Sequence, residues 1–357
     1  MNNDIEKFVK MSRYAGERFD IVQASGGNSS VKLNGGRMLI KASGFLLSDV
    51  QHDKGYAAVD NKKILEILKD SKLTRLNRKD RDRLVSKHLA ESVLEFGNKP
   101  SIETFLHALL KKYTLHIHPV SVSVITCQKD WKGILKTLFG DVVTVDYRTP
   151  GIELAYQLSH ELKNFKGKHG ALPGVVFLQN HGLIISSDSF DEVETLTEGV
   201  LEKIEGYLGM DMSRYKLTTK VSRLINSIKG GLLIAYLSED IVINNILKKN
   251  RELFFVTPFC PDKMVFCGTT VLELSHPDDY DSVKNYMEKY CELPCVVVYR
   301  DHLFFISRNL KKAKEMEDVF KMHILVLSAT KGEVVCLSGE ELRYLGNWEA
   351  EKYRQGI

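Results

Sequence analysis

The chain has 357 residues, 43% of them hydrophobic, with 50 Lys and Arg against 46 Asp and Glu for a formal net charge of +4. That length is long for a single core and predicts two domains. So slight a positive excess, with no basic stripe interleaved with aromatics, excludes an obvious nucleic-acid partner, and no apolar run approaches the ~20 residues of a membrane span.

The N-terminus, MNNDIEKFVKMSRYAGERF, lacks the apolar centre of a signal peptide. Cys127, Cys260, Cys267, Cys291, Cys295 and Cys336 form no CxxC pair, and most adjoin apolar runs. They read as reduced thiols of a cytoplasmic protein. A zinc site from Cys291 and Cys295 is disfavoured because no second pair stands nearby. The charged run Lys72–Arg83 contains acids too, and reads as a solvated linker and helix face.

In chain order, residues 4–19 have helical spacing. The turn-rich stretch ASGGNSSVKLNGGRMLIKASG predicts a hairpin with Gly-rich turns. Residues 80–95 form an amphipathic helical pattern, and SIETFLHALLKKY reads as a further helix, with Glu103 in its first turn. A strand over 114–118 leads to a helix from about 119 and a strand near 142–146. A helix follows Pro150-Gly151. Strand 174–179, the sequence NHG, a strand IIS and a helix over 189–207 complete this half. Strands mixed with helices in this way predict an α/β domain.

The second half repeats part of the first. PGVVFLQNHGLIIS (173–186) aligns without gaps on PCVVVYRDHLFFIS (294–307), with six identities, and a charged helical segment follows each. His302 then falls on His181. The preceding segment PDKMVFCGT has no His-x-His, so the copy has no three-histidine set, and His302 reads as a structural or interface residue. The predicted boundary lies between residues 212 and 213, with a degenerate α/β module over 213–357.

Three histidines carry the first chemical signal. His116 and His118 lie in TLHIHPVSV and His181 in VVFLQNHGLIIS, both patterned as short buried strands. Side chains two apart on a strand share a face, so His116 and His118 can present two imidazoles together. A third at the end of a neighbouring strand would complete a metal site with an open position, the mark of a catalytic site. The blander reading of His181 is a turn cap before Gly182. Glu103 leads towards the HxH strand and could act as general acid or base, or simply favour the helix dipole. His107, one turn on, reads as a hydrogen-bonding or packing residue. The small, polar cluster Gly26-Gly27-Asn28-Ser29-Ser30, with Ser43-Gly44 and Ser101, has the chemistry of a phosphate cradle. Such clusters are also ordinary turns. No P-loop, Rossmann fingerprint or serine nucleophile elbow is present.

Taken together and in order, these motifs resemble the class II aldolase/adducin family over roughly residues 4–210. GGNSS resembles its Gly-Asn-x-Ser phosphate loop, KASG its second phosphate-contacting turn, and PSIE its Pro-Ser-Ser-Glu. LHIHP and QNHGL match its metal histidines, and YRTPGIEL a segment whose tyrosine reaches a neighbouring subunit's site. The second module and NWEAEKYRQ resemble the longer, rhamnulose-phosphate-aldolase-like bacterial branch.

The resemblance implies a three-layer α/β/α domain, with a divalent metal at His116, His118 and His181. Zn²⁺ is the first choice, while three imidazoles also suit Mn²⁺, Co²⁺ or Fe²⁺. It implies retro-aldol chemistry on a ketose phosphate through an enediolate, with Glu103 carrying the proton. Tyr147 from an adjacent protomer would act at the aldehyde end, in a homo-oligomer that is most often a tetramer. Asn28, Ser29, Ser43, Gly44 and Ser101 would hold the phosphate. Ile102 replaces the family's second serine, and Lys41 stands where 4-epimerases of the family carry a lysine, so Lys41 is a candidate substrate contact. The family's C-terminal tyrosine has no fixed counterpart, with Tyr207 and Tyr215 nearby. Epimerase, dehydratase or decarboxylase chemistry at the same site, and a non-catalytic adducin-like interaction module, are the competing readings.

Overall fold

The structure, a computed structural model, describes residues 3–95 and 97–346. The NWEAEKYRQ segment lies outside the described residues. The chain divides into two compact units, Met1–Met212 and Ser213–Ile357.

The first unit opens with α1 (Asn3–Gly16) and a meander of β1 (Asn28–Lys32), β2 (Arg37–Lys41) and β3 (Tyr56–Asp60). Then come α2 (Asn61–Lys69), α3 (Arg78–Glu91), the short α4 (Thr104–Ala108) and β4 (Tyr113–Ile117). α5 (Val120–Thr126), α6 (Trp131–Phe139), β5 (Val143–Val145) and α7 (Ile152–His169) follow. The unit closes with β6 (Val175–Leu178), β7 (Gly182–Ser187) and α8 (Phe190–Leu208). Its described strands form one sheet in the order β3-β2-β1-β4-β7-β6-β5, antiparallel except for β5 beside β6.

Alternation along the strands builds two apolar faces. Met38, Ile40, Val59, Val176, Leu178 and Ile184 pack with residues of α2, α3, α4 and α7 in one core. The intervening Leu39, Phe177, Leu183 and Ile185 are also fully buried. Both faces of the sheet are therefore covered, giving the expected α/β/α arrangement. β3 and α6 were not predicted by the sequence patterns. The helix expected over SIETFLHALLKKY is only the five-residue α4, and Glu103 sits just before it with φ −83° and ψ 2°.

The second unit contains α9 (Ser213–Lys229), β8 (Ile234–Leu237), α10 (Ile241–Lys249), α11 (Pro261–Cys267), β9 (Leu272–Leu274) and α12 (Tyr280–Tyr290). β10 (Val296–Tyr299), β11 (His302–Ser307), α13 (Leu310–Ala329) and α14 (Gly339–Gly346) complete it. Its sheet runs β8-β11-β10-β9, with β9 parallel to β10 and the other pairs antiparallel. The order and directions are those of β4-β7-β6-β5 in the first unit. One detail departs from the ungapped alignment. Leu178 pairs with Gly182 across three residues, whereas Tyr299 pairs with His302 across two. His302 thus opens strand β11 where Gly182 opens β7, and it does not occupy the place of His181. The strand that matches β4 in position is β8, not the segment PDKMVFCGT, which supplies α11. Among the described residues no helix is long and apolar enough to cross a membrane.

Candidate metal centre

β4 lies between β1 and β7, with Asn28 opposite His116 and His116 opposite Ile184. His116 is the penultimate residue of β4, and His118 follows the strand end. His181 ends the three-residue turn between β6 and β7, where Asn180 adopts φ 52° to reverse the chain. Strand pairing therefore brings distant histidines to one end of the sheet.

The rings meet through their Nε2 atoms: His116 lies 3.1 Å from His118 and 3.2 Å from His181. The His116 Nδ1–H donates to the Leu183 carbonyl at 3.2 Å. A carbonyl only accepts, so Nδ1 carries a proton and Nε2 is the ring nitrogen left to ligate an ion. Burial, aided by His116 and His181, pushes His118 down to about 3, which keeps it neutral. Nitrogens at 2.0–2.1 Å from a tetrahedral ion stand about 3.4 Å apart, so the spacing and the donor set fit a divalent cation. Among the described residues this is the one group of ligand-type side chains arranged to hold a metal.

Close backbone approach makes the cluster possible. A Cβ on Gly182 would fall 2.3 Å from the Ile117 oxygen and 2.8 Å from His118 Cδ2, and one on Gly26 would fall 3.0 Å from His118 Nδ1. Sequence reasoning placed Gly26 in the anion loop and did not assign Gly182 or the Leu183 carbonyl. The glycine directly after His181 was the available signal.

Glu103 joins the histidines. One carboxylate oxygen lies 3.0 Å from His181 Nε2 and 3.6 Å from His116 Nε2. The other accepts from the Asn28 side-chain amide. Burial opposes its ionisation, but the imidazoles of His116 and His181 prevail and hold the carboxyl well below its ordinary range. It stands as a carboxylate beside three converging nitrogens.

The remaining predicted residues divide. An isolated bridge pairs Ala42 with Pro100, and the Ser43 N–H donates to the Lys99 carbonyl at 2.9 Å. KASG and PSIE are thus neighbours, with Ser43 and Gly44 exposed and the Ser101 hydroxyl accepting from the Glu103 N–H at 3.2 Å. Ser29 departs from expectation. Asn28 and Ser30 share a face of β1, so Ser29 points to the opposite one, where its buried hydroxyl meets Ser12 at 2.7 Å. Its side chain cannot line an anion cradle beside Asn28. Lys41 also departs: it is 2% exposed, and its ammonium donates to the carbonyls of Ser25 at 2.8 Å and Gly27 at 3.2 Å. Burial pushes it down to about 8. It braces the glycine loop from beneath and is closed to a substrate. Tyr147 is half exposed, and its backbone N–H donates to the Gln179 side chain at 3.0 Å. His107 is buried, 2.7 Å from the Ser30 hydroxyl.

Comparison with known proteins bears on this arrangement. A family model for the Class II Aldolase and Adducin N-terminal domain matches residues 6–207. The structure of the N-terminal class II aldolase domain of a conserved protein from Thermoplasma acidophilum is similar at 25% identity and a TM-score of 0.50. That match covers 58% of this chain and 95% of the other. YgbL from Klebsiella pneumoniae, whose activity is given only as aldolase/epimerase/decarboxylase, is similar at 19% identity and a TM-score of 0.39, over 57% of this chain and 86% of its own. An L-fuculose 1-phosphate aldolase is similar at 16% identity and a TM-score of 0.41, over 61% and 94%. No curated protein matches the chain. The family match spans more than half of the 357 residues and contains all three histidines and Glu103: the chain belongs to the class II aldolase/adducin family.

Proposed function

We propose that the protein is a metal-dependent lyase that makes and breaks the C3–C4 bond of a phosphorylated ketose, yielding dihydroxyacetone phosphate and an aldehyde. The observation that supports this best is the Glu103 carboxylate 3.0 Å from His181 Nε2, beside the three-histidine cluster. A divalent cation held by His116, His118 and His181, zinc before manganese, cobalt or iron, would supply Lewis-acid stabilisation of charge developing on substrate oxygens. In condensation, Glu103 removes a proton from C3 of dihydroxyacetone phosphate. C3 then bonds to the aldehyde carbon, and the new C4 oxygen takes a proton from Tyr147 of an adjacent copy. Cleavage reverses these steps.

Ser43, Gly44 and Ser101, with Asn28 at the inner edge, hold the phosphate. The shared site makes the protein a cyclic homo-oligomer, a tetramer in the first instance, working in the cytoplasm. Residues 213–357 are a degenerate copy of the second half of the first unit, without the triad. Retention of all three histidines and the acid disfavours a purely adducin-like interaction role.

A screen of phosphorylated ketoses, and of aldehydes with dihydroxyacetone phosphate, run with and without chelator, tests the proposal. Cleavage or condensation abolished by chelator is expected. Turnover indifferent to chelator rules out the metal role. Chelator-sensitive epimerisation, dehydration or decarboxylation without cleavage rules out the lyase.

A further inference from the structure

His107 sits behind the proposed centre and has no part in the chemistry above. It is 1% exposed, with Nδ1 2.7 Å from the Ser30 hydroxyl, and its Nε2 is buried with no hydrogen-bond partner. A buried nitrogen without a partner is destabilising, so packing alone is a poor account of a histidine here. Its position suggests a better one. α4 has five residues, too few to be stable as an isolated helix. Glu103, immediately before it, therefore needs outside support to stand at a fixed place.

That support comes from one face of β1. Asn28 and Ser30 are two residues apart on the strand, about 6.7 Å. Glu103, the residue before α4, and His107 are four apart, about one helical turn or 6 Å. The two spacings match. Asn28 donates to Glu103, and Ser30 pairs with His107. Phe105 and Leu106 anchor α4 in the core, and the two polar contacts to β1 set the rotation of its Glu103 side.

We infer that the Ser30–His107 pair is the second point of a latch that sets the Glu103 carboxylate against the three-histidine cluster, which makes His107 a positioning residue. The inference rests on the proposed metal centre. Its test is the visible spectrum of Co²⁺-loaded protein, which reports the ligands at the ion and needs no turnover. Wild type, Glu103→Gln, His107→Phe, His107→Asn and Ser30→Ala are compared. An asparagine amide can replace the Nδ1 hydrogen bond, whereas phenylalanine fills the space without it.

The expected result is a band shift in His107→Phe in the same direction as in Glu103→Gln, a wild-type spectrum in His107→Asn, and an intermediate shift in Ser30→Ala. Proton exchange at C3 of dihydroxyacetone phosphate should fall about 10–100-fold in His107→Phe, the usual scale for groups supporting a metal site, and recover in His107→Asn. A wild-type spectrum in His107→Phe beside a shifted Glu103→Gln overturns the latch and leaves the centre standing. No change in Glu103→Gln overturns the latch together with the carboxylate's place at the ion. Should His107→Phe fail to fold, Ser30→Ala decides, and a wild-type spectrum there overturns the latch.

Discussion

Three imidazole nitrogens within 4.8 Å of one another, with His116 Nε2 3.1 Å from His118 and 3.2 Å from His181, are an arrangement that a shared cation relieves. His116, fully buried between the other two and fixed by Leu183, should matter most. In His116→Ala, bound divalent metal should fall from about one ion per chain to near zero by elemental analysis; full occupancy would dissolve the site. His107 gives a pH test in the metal-free protein. Burial pushes it from 6.5 down to about 3, so between those values the unfolded chain binds a proton that the folded chain does not. Stability therefore falls as pH drops through that window. His107→Asn removes this group, and the loss of denaturant midpoint between pH 7 and about pH 5 should shrink. An undiminished loss would show that His107 does not stay neutral in the fold. At this scale the sequence was legible where spacing carries direction, as in His116 and His118. Ser29 shows the cost of neglecting the same rule: adjacent Asn28 and Ser29 cannot face one side of a strand. The burial of Lys41 depends on carbonyls of residues 25 and 27 folding over it, which no local pattern encodes.

Elements carry these side chains by close backbone contact. Gly182 opens β7 directly against Ile117 and His118, so Gly182→Ala should cost about 1–3 kcal/mol in chemical denaturation, the range for forced overpacking. It should also weaken metal retention by displacing His118. Wild-type stability and metal content together would contradict the close approach. The β4 strand, the β6–β7 pair and the long helices α7 and α8 were readable because their apolar periods are unambiguous. β3 was missed because YAAVD is short and weakly apolar. α4 was overextended, since SIETFLHALLKKY has helical spacing along its length while tertiary packing ends the helix at Ala108. The turn before His302 was misregistered because an ungapped comparison rewards identical letters, while a hairpin one residue shorter reverses which face each following side chain takes.

Across the whole molecule, the two units carry four-stranded arrangements of the same order and direction, yet only the first brings together a ligand set among the described residues. With His302 in strand β11, paired with Tyr299, His302→Ala should leave metal stoichiometry and any chelator-sensitive activity at wild-type levels. A loss of either would place the second unit in the chemistry. The central claim is that Glu103 moves a substrate proton beside the metal centre. Solvent deuterium incorporation at C3 of dihydroxyacetone phosphate, followed by NMR in wild type and Glu103→Gln with metal content measured on the same samples, tests it most directly. The account predicts chelator-sensitive exchange in wild type and a loss of at least about 100-fold in Glu103→Gln, with metal retained. Exchange that continues undiminished in metal-loaded Glu103→Gln would contradict it.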